Sequence, residues 1–132
     1  MLTTYASIHC MHLSFVYLPA FVARWKEARL SDDDLRALER QLLEKPGAGA
    51  LMGGTGGLRK MRFSPPSRHG GKSGAFRVCY VLFSVAGWAV LFTMFAKSDQ
   101  QNLTAAEKAK AKAVIEALRK RLGEGERPKG TP

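Results

Sequence analysis

The residues of this 132-residue chain best suited to chemistry are cations. Lys60 and Arg62 are separated by a single residue, Arg77 and Lys97 bound the long apolar run that lies between them, and Arg59, Arg68 and Lys72 lie among these. No acidic residue occurs between Glu44 and Asp99, so these seven cations and Lys45 stand unopposed in the middle of the chain. Cations gathered on a small surface repel one another, and an anionic occupant relieves that repulsion. A nucleic-acid phosphate or the carboxylates of a protein partner both fit. The plainer alternative is a solvated basic face. A binding surface is favoured because the cations fall at strand ends and in loops beside glycines, rather than on helix exteriors.

The whole chain has 21 Lys and Arg against 11 Asp and Glu, a formal charge of +10 and a pI near 10.1, which points to polyanionic partners. RNA, DNA and acidic proteins all satisfy that charge. The segment from Arg24 to Glu44, by contrast, mixes both signs in the manner of ordinary solvated helices. Other chemistries find little support. With only Cys10 and Cys79, neither a disulfide framework nor a four-cysteine zinc site is available, and a reducing cytoplasm is the expected setting. His9, Cys10 and His12 are too cramped and lack following ligands, so no metal and no cofactor are expected. Gly71-Lys72-Ser73 resembles the end of a P-loop, but Pro66 stands where its first glycine is required. Gly53-Gly54-Thr55-Gly56-Gly57 does not fit the dinucleotide-binding spacing. His69 can serve as an acid or base near neutrality, although a lone loop histidine is usually only solvated. Asn102-Leu103-Thr104 reads as a loop and helix cap.

The elements that must position the cations follow from periodicity. Leu13, Phe15 and Tyr17 alternate into a first strand, and Pro19 opens a helix that buries Phe21, Val22 and Trp25. Ser31 caps a second helix, with Asp32, Asp33 and Asp34 over its positive end and Leu35, Leu38 and Leu42 on one face; it runs to about Glu44. The glycine-rich stretch from Gly47 to Gly57 reads as a flexible loop. Leu58 to Phe63 forms a strand, and Pro65-Pro66 ends it in a polar loop reaching Gly74. The uncharged run 78–96 is long enough for a membrane helix by length alone. Its β-branched and aromatic residues, and a turn at Ser84–Gly87, favour two antiparallel strands instead. Thr104-x-x-Glu107 is a capping box, opening a closing helix with Val114, Ile115, Leu118 and Leu122 on one face.

One α+β domain over residues 11–122 is expected, in the order β-α-α-β-β-β-α with a mostly antiparallel twisted sheet. Residues 1–10 would be a disordered leader, Met11 being an alternative start, and residues 123–132 a flexible tail. Side-chain alternation places Lys60 and Arg62 on one face, opposite Met61 and Phe63, and sets Arg77 out of phase with Phe76, Val78 and Tyr80. Lys97 shares its phase with Thr93 and Phe95. Pairing registers permitting, four cations meet on one face of the sheet.

Three blocks then carry a resemblance: Gly54 to Arg62, Gly71 to Gly74, and Arg77-Val78-Cys79-Tyr80. Together with Leu18-Pro19-Ala20-Phe21, Phe95 to Asp99 and Leu103 to Glu107, they make the chain similar, from about His12 to Leu122, to the HigB-like branch of the RelE superfamily of type II toxins. The resemblance implies a compact RelE-like α+β fold. It also implies a cytoplasmic, metal-independent endoribonuclease that cuts messenger RNA on the ribosome, leaves a 2′,3′-cyclic phosphate and is restrained by a cognate antitoxin, often a helix-turn-helix protein. By position, Lys60 and Arg62 resemble the family's basic pair, Arg77 its third-strand arginine and Lys97 its last-strand lysine, with Arg59, Arg68 and Lys72 as further RNA-binding residues. Two departures stand out. Ser98 and Thr104 occupy positions where some relatives carry an arginine and a tyrosine, and Ser98-Asp99 replaces a familiar Asn-Glu pair.

Cleavage of this kind needs a base for the attacking 2′-hydroxyl, cations for the phosphorane and an acid for the leaving oxygen. Neighbouring positive charge favours a neutral amine, which makes Lys60 or Lys97 the candidate base while Arg62 and Arg77 hold the phosphate. The choice between the lysines stays open. The competing reading is a non-catalytic basic module that binds nucleic acid or an acidic partner, with no membrane involved in either case.

Overall fold

Alternating apolar residues build β1 (Ser14–Tyr17), and Pro19 then opens α1 (Pro19–Glu27) where its missing amide hydrogen is of no consequence. In the computed structural model, which describes residues 13–68, 75–98, 100 and 102–123, α1 buries Phe21 and Trp25. Helix α2 (Asp32–Glu44) is closed by a full capping box. The Asp34 amide donates to Ser31 Oγ at 3.1 Å, and the Ser31 amide donates back to the Asp34 carboxylate at 2.9 Å. Four strands and a helix follow: β2 (Ala50–Leu51), β3 (Arg59–Phe63), β4 (Phe76–Phe83), β5 (Trp88–Ala96) and α3 (Ala105–Arg121).

The strands form one mixed sheet in the order β1-β5-β4-β3-β2, parallel between β1 and β5 and antiparallel elsewhere. The 78–96 run is therefore a hairpin, as its β-formers indicate, and no described helix is long and apolar enough to cross a membrane. The expected order needs one correction, because β2 adds a fifth strand before β3. A two-residue strand inside a glycine-rich run carries no alternation by which to recognise it.

That run is also better ordered than its composition suggests. Thr55 is fully buried, its hydroxyl donates to the Met52 carbonyl at 2.6 Å, and it accepts the Leu58 amide at 3.1 Å. Gly54, Gly56 and Gly57 adopt positive φ to make this turn, a conformation that costs glycine nothing. Gly49 lies tight against Tyr80, whose buried hydroxyl donates to the Pro46 carbonyl at 2.8 Å and accepts the Gly49 amide at 2.9 Å.

Helices cover both faces of the sheet. On one, α1 and α2 pack Phe21, Trp25, Leu38 and Leu42 against Phe15, Met61, Phe63, Val78, Tyr80, Leu91 and Met94. On the other, α3 packs Ala111 and Ile115 against Leu58, Cys79, Val81, Phe83, Val90, Phe92 and Phe95. A bulge in the β4–β5 ladder, between the Cys79–Thr93 and Tyr80–Leu91 pairs, makes Phe92 the extra residue. It resets the phase of β5, so that Phe95 faces α3 and Met94 faces α1.

Candidate functional site

The β3–β4 register decides which cations meet. Lys60 pairs with Cys79 and Arg62 with Arg77, and residues directly opposite in an antiparallel pair project to the same side. Cys79 belongs to the apolar cluster beneath α3, so Lys60, Arg62 and Arg77 all project to the α3 side of the sheet. Arg62 is exposed, while Lys60 and Arg77 are half-buried. Lys97 is exposed one residue past β5, at the end of the sheet where β3 stops and β4 begins. Three of the four expected cations thus share one face, and the fourth stands at that face's end.

Among the described residues no carboxylate forms an ion pair with them. Among the described residues the ion pairs are Arg24 with Glu107, at 3.8 Å, and Arg36 with Asp33, and neither touches the group. Arg62 and Arg77 are directly cross-strand, where β-carbons lie about 5 Å apart and like charges are destabilising. The register therefore sets two arginines side by side, with no described carboxylate paired to either. Behind them Cys79 and Thr93 are buried. Burial pushes the Cys79 thiol up to about 12, with Glu107 adding to the rise and Lys60 and Arg24 opposing it. This places a buried, protonated thiol, and not a nucleophile, beneath Lys60.

Arg59 and Arg68 take up other positions. Arg59 pairs with Tyr80 on the α1–α2 side, where its Nη1 donates to the carbonyls of Gly47 at 3.2 Å and Gly49 at 2.9 Å. Arg68 donates from Nη2 to the Ala28 carbonyl at 2.6 Å, and its guanidinium lies 5.4 Å from the Phe76 ring centroid. Lys72 and His69, the segment Gly71–Gly74 and the cluster of His9, Cys10 and His12 lie outside the described residues. Among the described residues no group of three His, Cys, Asp or Glu side chains is placed to hold a metal ion.

Two positioning elements escaped the sequence reading. Arg24, assigned to a solvated helix, donates from Nη1 to the Met94 carbonyl at 3.0 Å, on the edge of β5 beyond the reach of β1. Its signal was spacing, since Phe21, Arg24, Trp25 and Ala28 fall on one helical face. Asp34 does more than cap α2. Its carboxylate also accepts the Ser67 amide at 3.0 Å and the Ser67 hydroxyl at 2.6 Å, tying the loop after β3 to α2. Burial works to raise the Asp34 carboxyl, but the hydrogen bonds from Ser67 and Ser31 outweigh it and hold the group below its ordinary value. Because Ser67 precedes Arg68, this clamp also sets where Arg68 begins.

No family model matches the chain. Among solved structures it is similar to a mutant of the E. coli toxin RelE in the free state, with 14% sequence identity and a TM-score of 0.46, over 77% of this chain and 94% of that one.

Proposed function

We propose that this chain is a RelE-superfamily toxin of the HigB-like branch: a cytoplasmic, metal-independent endoribonuclease that cuts messenger RNA on the ribosome and is held inactive by a helix-turn-helix antitoxin. The observation that carries the reading is the Arg62–Arg77 cross-strand pair with Lys60 beside it, all on the α3 side and without a described counter-ion. A phosphodiester supplies the missing negative charge, and the transition state of its cleavage supplies more. Preorganised cations are most useful where charge develops during reaction.

In the proposed reaction the RNA 2′-oxygen attacks the adjacent phosphorus while a base removes its proton. The bond from phosphorus to the 5′-oxygen then breaks, and an acid protonates the departing oxygen. The products are a 2′,3′-cyclic phosphate and a free 5′-hydroxyl. Arg62 and Arg77 hold the non-bridging oxygens, and Lys60 or Lys97 handles the protons. Arg68 and Lys72 add contacts along the RNA, while Arg59 acts through the loop it holds. Ser98 and Thr104 offer no guanidinium or phenol in place of the relatives' arginine and tyrosine, which leaves more of the phosphate chemistry to Arg62 and Arg77.

Induced expression followed by primer extension on cellular messenger RNA tests the proposal. Arrested growth with new 5′ ends confined to translated reading frames supports it. Unchanged growth and intact messages, with the protein present and folded, would leave the basic face as a docking surface.

A further inference from the structure

Burial falls off along the cationic face. Leu58, Lys60 and Arg62 share the α3 side of the sheet, and they are buried, half-buried and exposed in that order. On β4, Cys79, Val81 and Phe83 are buried on the same side, whereas Arg77 is half-buried. Helix α3 therefore covers the entry to β3 and the end of β4, and its margin falls near Lys60 and Arg77. The two flanks of α3 meet different neighbours. Glu107 reaches Arg24 of α1 at 3.8 Å, so its flank faces the edge of β5. On the other flank Arg119 donates to the Gly56 carbonyl at 2.8 Å, and a β-carbon on Gly56 would lie 3.7 Å from Lys112 Cγ. Gly56 belongs to the turn that leads into β3, so this flank faces β3. Lys108 precedes Lys112 by one helical turn on it. Lys108 is half-buried and Lys112 exposed, and among the described residues neither forms an ion pair, not even Lys112 with Glu116 one turn on. Like charges at this spacing oppose one another, as do the cations on the sheet.

We propose that the β3 flank of α3 is an RNA backbone track, on which Lys108 and Lys112 bind phosphates of the strand that continues past Lys60 from the Arg62–Arg77 pair. The inference rests on the RNA reading of the cationic face. Lysine is a compact charge on a flexible stem, suited to phosphates in any sequence context, and such contacts position a strand without reading it. A protein partner would call for an apolar or aromatic anchor. The exposed positions of α3 carry only alanine, lysine, glutamate and arginine, and the exposed large apolar side chain among the described residues, Val85, stands away from them on the β4–β5 turn.

The test is fluorescence anisotropy with labelled single-stranded RNAs of increasing length, made uncleavable by 2′-O-methyl riboses. The Lys108→Ala/Lys112→Ala double variant is expected to bind the longer RNAs about tenfold more weakly, with a slope of log affinity against log salt shallower by about 1.4. The loss should grow with RNA length and be least for the shortest RNA that binds. Alanine favours the helix, so α3 itself should persist. The Lys110→Ala/Lys120→Ala double variant removes the same charge from the outer side of α3, and should change affinity by no more than about twofold, since salt screens exposed charges that touch no phosphate. In cleavage, the Lys108→Ala/Lys112→Ala variant should raise KM and leave kcat unchanged, because its contacts lie away from the reacting phosphate. Equal losses in the two double variants would show a general charge effect and overturn the track. If Arg62→Ala weakens binding while Lys108→Ala/Lys112→Ala leaves every length unchanged, the track is overturned and the RNA reading stands. If the natural protein binds no RNA of any length, both fall. A Lys108→Ala/Lys112→Ala variant that keeps RNA affinity but loses binding to polyglutamate, an acidic polypeptide, would give the flank to a protein partner and also overturn the proposal.

Discussion

Replacing Asp34 with alanine removes the clamp between α2 and the loop after β3. Asp34 is fully buried, and its carboxylate accepts three hydrogen bonds: the Ser31 amide at 2.9 Å, the Ser67 amide at 3.0 Å and the Ser67 hydroxyl at 2.6 Å. Hydrogen bonds to a charged group contribute about 1.5–3 kcal/mol each when well buried, and a lost cap about 1 kcal/mol. The Ser67 hydroxyl recovers part of this by turning to water, so a net loss of about 3 kcal/mol is expected for Asp34→Ala, and about half that for Asp34→Asn. At roughly 4 °C per kcal/mol for a domain of this size, the alanine variant should melt about 12 °C lower. The pH dependence follows from the lowered carboxyl. A group whose folded value lies below its unfolded value stabilises the fold fully above the unfolded value, near 3.9 for aspartate, and loses that contribution as pH falls through the folded value. Thermal melting of natural protein and Asp34→Asn should therefore show a constant gap from about pH 7 to about pH 5 and a narrowing gap below about pH 4. A melting shift under about 3 °C for Asp34→Ala, or a gap that ignores pH, would refute the reasoning.

Cys79, buried with its thiol pushed up to about 12, should resist a thiol reagent at neutral pH in a Cys10→Ser background and react only on unfolding; prompt labelling of the native protein would contradict its placement. Arg59→Met should reduce stability in urea by about 1–2 kcal/mol, through loss of the two loop carbonyl bonds, while RNA affinity stays within about twofold. A large affinity loss without destabilisation would return Arg59 to the RNA-binding set. In Gly49→Ala the new methyl would lie 2.7 Å from the Tyr80 hydroxyl oxygen and 3.1 Å from Arg59 Cβ. With Tyr80 fully buried it cannot yield, so a loss of about 1–3 kcal/mol is expected in the same urea titration.

What the sequence disclosed and what it hid divide along physical lines. The two helix starts at Ser31 and Thr104, the break at Pro65-Pro66 and the Ser84–Gly87 turn were legible because each is a local signal that tertiary packing rarely reverses. The shared face of Lys60 and Arg62 followed from alternation alone, and the β3–β4 register brought Arg77 to it. Arg59 shows the limit of composition. It sits in the basic block, yet its phase turns it to the other face, where it serves the glycine loop. Arg119 shows the converse. The closing helix gives no sign that an arginine belongs inside, yet Arg119 is buried, donates to the Gly56 carbonyl at 2.8 Å and stacks 5.4 Å from the Phe83 centroid. Long-range contacts of this kind, like those of Arg24 with Met94 and Asp34 with Ser67, depend on register and leave no local trace.

The central claim is that the Arg62–Arg77 pair stabilises a reacting phosphate, and single-turnover cleavage of a messenger RNA on ribosomes measures it directly. The Arg62→Ala/Arg77→Ala double variant, with a melting temperature matching the natural protein, should cleave at least about a hundredfold more slowly, the usual loss when a preorganised donor is removed. Its RNA affinity should fall as well, and the slope of log affinity against log salt should become shallower by about 1.4 for two lost single-strand phosphate contacts. A folded double variant that cleaves at the natural rate would contradict the account.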